Sequence, residues 1–501
     1  MRRFPKTSER GGAAALPTPI SAAALAGAAL TGRGYGLPKS ELTPPQLEQM
    51  RRCCTVRPAG SPVGPQAAAF PVHRESRSKI YLPKHLALAA YGAPSDVRVG
   101  DGEPLGTGVA FRGSLRSEQL PAVDAFLAAA RDPARRGGII NMGCGNGKTV
   151  MALHIAAALG RRTMVIVHKE FLLNQWRERI GQFLPDASVG RVQGPVLEAD
   201  RDVVLVMLQT LASREFPEGA LDGFGTVIVD ECHHCSAEVF SRALHKINFR
   251  HSLGLSATIN RKDGLGRVFQ WFLGAVVHRP ARRDDKGTVE ARVLRFEGPD
   301  AAAPQYREES FVCGVRINMA RMVSNVCAHA PRTAFLVATL LEAMARPGGC
   351  KALVLSERRN HLVDIQREIL RSRPSVTVGF YVGGLKEAQL KASESCDVIL
   401  GTFSMAAEGM DIPALDTLVL ASPKSDIEQS VGRILRQRPE ERTHVPRVID
   451  ILDDFSVFAA QGAKRRRFYK QRGFVVSDGL RLDDEPPEDE VPGGRQSMFI
   501  A

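Results

Sequence analysis

The sequence predicts an α/β protein built from two tandem parallel-sheet domains. Three observations lead there. Strand-length apolar runs rich in Val and Ile alternate with helical patterns, around Met164–Val167, Val203–Met207 and Thr226–Val229. Such strands suit a parallel sheet covered on both faces. The alternation resumes far downstream, at Lys351–Leu355 and Val398–Leu400, which calls for a second sheet. Between Ile139-Ile140 and the helical pattern Val150 to Leu159 lies a glycine-rich loop, the strand–loop–helix order in which these sheets bind phosphate.

That loop is Met142-Gly143-Cys144-Gly145-Asn146-Gly147-Lys148-Thr149. Its three glycines let backbone N–H groups, those of Cys144 and Asn146 included, turn inward around phosphate oxygens. Lys148 then reaches the β- and γ-phosphates, and the Thr149 hydroxyl ligates Mg²⁺. The strict phosphate-loop pattern has glycine where Met142 stands, so the match departs there. A second stretch, Thr226-Val227-Ile228-Val229-Asp230-Glu231-Cys232-His233, ends an apolar strand in two carboxylates. A buried parallel strand delivers its last residues to the ligand edge, so Asp230 is placed to hold Mg²⁺ and Glu231 to orient the attacking water. ATP and Mg²⁺ are therefore the expected cofactors.

The 501 residues allow about three domains, and 44% hydrophobic with 24% charged content is that of a globular protein. Lys and Arg exceed Asp and Glu by 13, which suits either a polyanionic partner or a solubilising surface. Nine cysteines without framework spacing point to a reducing compartment. No apolar stretch is long enough to span a bilayer, and the alanine run Ala22 to Ala29 is too short and weakly hydrophobic for a convincing leader. An intracellular location follows, nucleus or cytoplasm.

Residues 1–37, rich in Ala, Gly, Pro and Ser, are expected to be disordered. Residues 38–110 are expected to form a small accessory domain, with a helix from Pro44 to Arg52 capped by Thr43 and strands at Phe70–Val72 and Lys79–Leu82. Its basic residues Arg74, Arg77, Lys79 and Lys84 are either backbone contacts for a nucleic acid or a solvated face. The first sheet domain takes 111–282 and the second 283–476, after the charged stretch Arg282 to Gly287. The acidic, proline-containing tail 477–501 is expected to be disordered.

Within the first domain, Gln119 has the bidentate amide that can read an adenine, with Arg116 nearby to stack or pair. His168-Lys169 and Gln209-Thr210 fall at strand ends, where they either hold a nucleic-acid backbone or are ordinary loop residues. Cys232-His233-His234-Cys235 is too contiguous for all four side chains to wrap one tetrahedral zinc. Late in the chain, Lys464-Arg465-Arg466-Arg467-Phe468-Tyr469-Lys470 interleaves cations with aromatics on a helix. That pattern suits either nucleic-acid contact or docking by Phe468 and Tyr469 with solvated charges.

With Gly254-Leu255-Ser256-Ala257-Thr258 the pattern resembles the superfamily 2 helicases. Gly143 to Thr149 looks like motif I, Asp230 to His233 like the DExH form of motif II, and Ser256-Ala257-Thr258 like motif III. Ala407-Glu408-Gly409-Met410-Asp411-Ile412-Pro413 resembles motif V, and Gln429-Ser430-Val431-Gly432-Arg433-Ile434-Leu435-Arg436 matches Q-x-x-G-R-x-x-R of motif VI at every fixed position. The resemblance implies two RecA-like domains and a coupling role for Ser256, Ala257 and Thr258. It also implies Gly409 and Asp411 at the nucleotide, Thr402 at the nucleic acid, and Gln429, Arg433 and Arg436 as catalytic. Helical spacing would put Arg433 and Arg436 on one face, in the manner of arginine fingers.

Val165 to Trp176, Leu355 to Leu362 and Arg261-Lys262-Asp263 look like the branch containing the TFIIH repair helicase, the phage recombination helicase UvsW and late-transcription helicases of large DNA viruses. That likeness implies DNA as the nucleic-acid partner, transcription or repair machinery as company, and a virion as a further location. Restriction-type translocation subunits share the motifs, but the remaining segments hold no nuclease-like carboxylate cluster with a lysine.

Overall fold

The computed structural model describes residues 16–59, 67–143, 145–258, 261, 263–279, 288–297, 299–312, 316–346, 349–410, 412–437, 442 and 444–477. The chain forms two compact units, Met1–Ala281 and Arg282–Ala501. Among the described residues no helix is long and apolar enough to cross a membrane. Cys144, Lys262, Asp411, the linker stretch 282–287 and the tail from 478 lie outside the described residues.

The first unit is organised by an eight-stranded sheet. Its order is Val196–Leu197, Val189–Gln193, Val203–Met207, Thr163–Val167, Thr226–Val229, His251–Ser256, Gly137–Asn141 and Val276–His278. Neighbours are parallel except at the hairpin between Val189–Gln193 and Val196–Leu197. The Val and Ile runs do not alternate with polar residues because both faces are covered: every residue of Thr226–Val229 and Thr163–Val167 is buried. Two cores result, one containing Met164, Ile166, Val227 and Val229, the other Val165, Val167, Ile228 and Leu253. The order also sets Asp230, Ser256 and the loop after Asn141 at the carboxyl ends of three consecutive strands, about 5 Å apart from strand to strand.

Residues 16–37 depart from the disorder expected of them. A helix at Ala22–Ala26 is followed by strands Ala29–Thr31 and Gly34–Pro38, paired antiparallel within a five-stranded sheet. Low average hydrophobicity concealed a few well-placed groups. Leu30, Tyr35 and Leu37 are fully buried in one cluster with Phe249 and Phe272, and alanines 24 and 28 are fully buried in it as well. The accessory segment thus shares a core with the parallel sheet. The helix Pro44–Cys53 starts with a capping box between Thr43 and Gln46, and Lys79–Leu82 pairs with Gly34–Pro38. Lys84 is neither a nucleic-acid contact nor a solvated charge. It is buried, donating from Nζ to the Arg250 carbonyl at 2.7 Å, and burial lowers its pKa to about 7.

The second unit carries a seven-stranded, wholly parallel sheet in the order Val378–Tyr381, Val398–Thr402, Ala352–Ser356, Thr417–Leu420, Arg447–Leu452, Glu290–Arg295 and Val475–Ser477. Two buried acid–base clusters brace it. Arg332 donates from Nε and Nη2 to both oxygens of Asp453 at 2.6 and 2.9 Å, and the Tyr306 hydroxyl donates to the same carboxylate at 2.6 Å. Arg465 and the Tyr469 hydroxyl repeat the arrangement on Asp450. The helix Ser456–Arg472 therefore docks through Tyr469 as one reading had it, yet Arg465 is buried and paired rather than solvated.

His361 also sits in this core, with Nδ1 3.0 Å from the Ser356 hydroxyl and Nε2 3.3 Å from that of Thr333. Burial, with the Arg332 charge adding, lowers its pKa to about 3. An unfolded chain takes up this proton near pH 6.5 while the folded one refuses it, so stability falls as pH drops from about 6.5 towards 3. Urea midpoints at pH 7.5 and 5 should differ accordingly, and by less in His361→Asn.

Candidate active site

The strand Gly137–Asn141 is buried except at its last residue and leads into the loop that opens the helix Lys148–Leu159. Gly145 and Gly147 adopt left-handed backbone conformations, with φ of 84° and 72°. Glycine at 147 has a second reason. A Cβ there would stand 2.3 Å from Gln119 Nε2, which donates to the Asn146 carbonyl at 3.0 Å. Gln119 is buried, and its Oε1 accepts from the Arg116 backbone N–H at 2.9 Å, while the Arg116 side chain extends towards Glu118. Gln119 and the phosphate loop, 27 residues apart, are thus one assembly.

Lys148 is 8% exposed and Glu231 9%, and Lys148 Nζ donates to Glu231 Oε1 at 2.7 Å. Glu231 has φ 43° and ψ 46°, a left-handed conformation that turns the chain sharply after the strand. Such a backbone costs about 1–2 kcal/mol in a non-glycine residue and marks functional sites. Asp230 Oδ1 accepts from the Glu231 N–H at 2.9 Å, and its Oδ2 accepts from Trp176 Nε1 at 2.8 Å. Burial, then the neighbouring charge of Glu231, holds the Asp230 carboxyl above the ordinary carboxylate range. The oxygens that could hold a divalent cation here are the Thr149 hydroxyl and the Asp230 carboxylate, hard donors that match Mg²⁺.

His233 Nδ1 lies 3.3 Å from Glu231 Oε2 and 3.0 Å from Ser256 Oγ, and the Ser256 hydroxyl donates to the Thr258 carbonyl. One imidazole therefore joins the DExH segment to Ser256-Ala257-Thr258. Arg261 adds a clasp: its guanidinium pairs with Asp263, donates to the carbonyls of His233 and Cys235, and stacks over Phe269 at 4.9 Å. Cys232 and Cys235 belong to the apolar core, where burial pushes the Cys232 thiol up to about 12 and that of Cys235 upward as well. Trp176 and the bridging place of His233 were not singled out by residue patterns. The available signal for Trp176 was its position on the apolar face of a helix whose preceding strand neighbours Thr226–Val229.

At the same sheet edge, Gln209 donates from Nε2 to the His168 carbonyl at 2.9 Å, and Thr210 Oγ1 accepts from the Gly194 N–H at 3.0 Å. Lys169 stands in extended conformation just before the helix Glu170–Phe183, without a side-chain capping bond.

In the second unit, Thr402 closes the strand Val398–Thr402 and Gly409 closes the helix Phe403–Gly409. The helix expected to carry motif VI is short. It spans Glu428–Val431, includes the half-buried Gln429, and ends before Arg433. Arg433 N–H bonds the Ser430 carbonyl and Ile434 N–H that of Val431, three residues back in each case. Those turn bonds end at Ile434, so what brings Arg433 and Arg436 together is a shared acceptor. Both donate to the Met410 carbonyl, at 2.7 and 3.1 Å, which ties motif VI to motif V.

Over residues 112–261 the sequence matches the family described as "Type III restriction enzyme, res subunit". It is 30% identical over 456 residues to "Putative ATP-dependent RNA helicase L396" of Acanthamoeba polyphaga mimivirus, covering 89% of this chain and 86% of that one. Similarity extends to "Putative helicase 161L" of Invertebrate iridescent virus 6, 26% identical over 74% of this chain and 83% of the relative. "Probable helicase D10" of Escherichia phage T5 is 28% identical over 67% and 72%. With its motifs in order on two parallel sheets, and a viral relative of this identity along most of its length, the chain belongs to the superfamily 2 helicases, enzymes that use ATP to act on nucleic acid.

Proposed function

We propose that this chain is a DNA motor that couples Mg²⁺-dependent ATP hydrolysis at Lys148, Thr149, Asp230 and Glu231 to movement along the nucleic acid. The observation that carries the catalytic part is the 2.7 Å pair between Lys148 and Glu231, residues 83 apart in sequence, with Asp230 beside them. Triphosphate oxygens compete with Glu231 for the Lys148 ammonium. Once released, the Glu231 carboxylate accepts a proton from the water that attacks the γ-phosphorus, and the bond to the β–γ bridging oxygen breaks to leave ADP and phosphate. Mg²⁺ held by Thr149 and Asp230 supplies charge neutralisation on the phosphate oxygens. Gln119, fixed by its bonds to Arg116 and Asn146, is the adenine-side residue with Arg116. The phosphate-loop backbone, Gly143 to Gly147, cradles the phosphates.

His233 gives Ser256 and Thr258 a hydrogen-bonded route to the carboxylates, which supports a coupling role for that segment. Arg433 and Arg436, with Gln429, Gly409 and Asp411, are the second-unit residues on which hydrolysis is proposed to depend. His168, Lys169, Gln209, Thr210 and Thr402, at carboxyl ends of strands, are proposed to hold the nucleic-acid backbone.

The likeness of Val165–Trp176 and Leu355–Leu362 to the DNA-acting branch supports DNA as the track. RNA is the second reading, favoured by the name of the mimivirus relative. ATPase rate measured against duplex DNA, single-stranded DNA and RNA at one moderate salt concentration separates them, with Lys148→Ala as blank. DNA is expected to stimulate the wild-type rate. Stimulation by RNA alone would transfer the assignment to RNA, and strand displacement on forked and blunt duplexes would then separate unwinding from translocation.

A further inference from the structure

Trp176 has no part in the assignments above, yet its indole touches the central carboxylate of the site. It is 1% exposed, on the helix Glu170–Phe183, and its N–H is spent on Asp230 Oδ2 at 2.8 Å. A buried indole needs an acceptor, and any carbonyl would satisfy it. Here the acceptor is a carboxylate at the end of the strand Thr226–Val229. Asp230 Oδ1 meanwhile accepts from the Glu231 N–H at 2.9 Å. An ionised carboxylate offers about four lone-pair directions. The two donors take one on each oxygen, which fixes the rotation of the group and leaves one lone pair on each for a cation or its water.

We propose that Trp176 is a positioning residue for the Mg²⁺ site, its indole N–H orienting Asp230 so that the carboxylate meets the cation without reorganising. The arrangement is that of an outer partner holding a metal ligand, whose removal typically lowers metal affinity about 10- to 100-fold. This rests on the assignment of Asp230 as the Mg²⁺ ligand. Phenylalanine at 176 keeps an aromatic ring in the cluster with Leu172, Leu173 and Ile180 while removing the N–H, together with part of the indole's volume.

The test is a Mg²⁺ titration of ATPase rate together with ADP binding by calorimetry, with Mg²⁺ or with EDTA, on the full chain as wild type, Trp176→Phe and Asp230→Asn. In Trp176→Phe the Mg²⁺ concentration for half-maximal rate is expected to rise about 10- to 100-fold, with most of kcat recovered at saturating Mg²⁺. ADP affinity in EDTA should be unchanged. An unaltered Mg²⁺ requirement, or equal losses of ADP affinity with and without Mg²⁺, overturns the proposal. If Asp230→Asn keeps the wild-type Mg²⁺ requirement, the metal assignment itself falls.

A second measurement stands whether or not Trp176→Phe folds. The chain has two tryptophans, so Trp271→Phe leaves Trp176 as the sole emitter. Its emission should change when Mg²⁺ is added to the ADP-bound protein, and the change should vanish on adding Asp230→Asn. No change with Mg²⁺ overturns the proposal.

Discussion

Glu231→Gln is expected to lower ATP turnover about 10²- to 10⁴-fold in a chain that still folds and binds nucleotide, because an amide cannot take the proton of the attacking water. The amide still offers an oxygen to Lys148 Nζ, now 2.7 Å from Glu231 Oε1, so the fold keeps most of that contact. Lys148→Ala is expected to bring turnover to background and to weaken nucleotide binding as well, since it removes the charge that meets the β- and γ-phosphates. Its stability cost is larger than that of Glu231→Gln, because the truncation leaves a buried carboxylate without its cation. Removing one partner of a buried pair costs about 3–5 kcal/mol in general. His233 Nδ1, 3.3 Å from Glu231 Oε2, offsets part of that here. Steady-state ATPase, nucleotide affinity and thermal unfolding of both variants make the check. Wild-type turnover in either one would remove these residues from the catalytic assignment.

The largest stability effect is expected from Asp453→Ala. Arg332 is fully buried, and its guanidinium makes two charge-assisted bonds to Asp453 and a third to the Ala421 carbonyl at 2.6 Å. Truncating Asp453 strands that cation in the core and takes the acceptor of the Tyr306 hydroxyl with it. A loss of about 3–5 kcal/mol is expected, a large share of the stability of an ordinary domain. The adjacent Asp454 is the natural control. It pairs with Arg295 at 3.1 Å, but both side chains are about half exposed, and such surface pairs contribute about 0–1 kcal/mol. Urea unfolding of the two alanine variants should show a large loss for Asp453 and almost none for Asp454. Equal losses would mean that the buried pair is no more than a pair of compensated charges.

Much of the fold was legible because its determinants are local. Parallel strands covered on both faces announce themselves as unbroken Val and Ile runs, and Thr226–Val229 and Ala352–Ser356 fall where those runs do. A capping residue with a glutamine three positions on marks a helix start, as at Thr43 and Gln46. Averages misled where few residues did the packing. In 16–37 the composition is that of a chain without a core, but Leu30, Tyr35 and Leu37 join a cluster that extends from nearby residues such as Met50 and Ile80 to Phe249 and Phe272, more than 200 positions away. Charge patterns misled in the same way, since Lys84 and Arg465 read as nucleic-acid contacts or solvated cations until partners elsewhere in the fold, the Arg250 carbonyl and Asp450, bury them.

The residues alone were enough for the motifs, their order, the two parallel sheets and the chemistry that glycine, lysine and paired carboxylates can perform at strand ends. Those features depend on side-chain type and short spacing, which a linear pattern preserves. Long-range pairing supplied the rest: Trp176 on Asp230, His233 between Glu231 and Ser256, Gln119 against Gly147, and both motif VI arginines on the Met410 carbonyl. Each joins segments separated by about 20 residues or more, and no local propensity encodes them. They arise when strand order sets particular carboxyl ends side by side and burial forces every polar group there to find a partner.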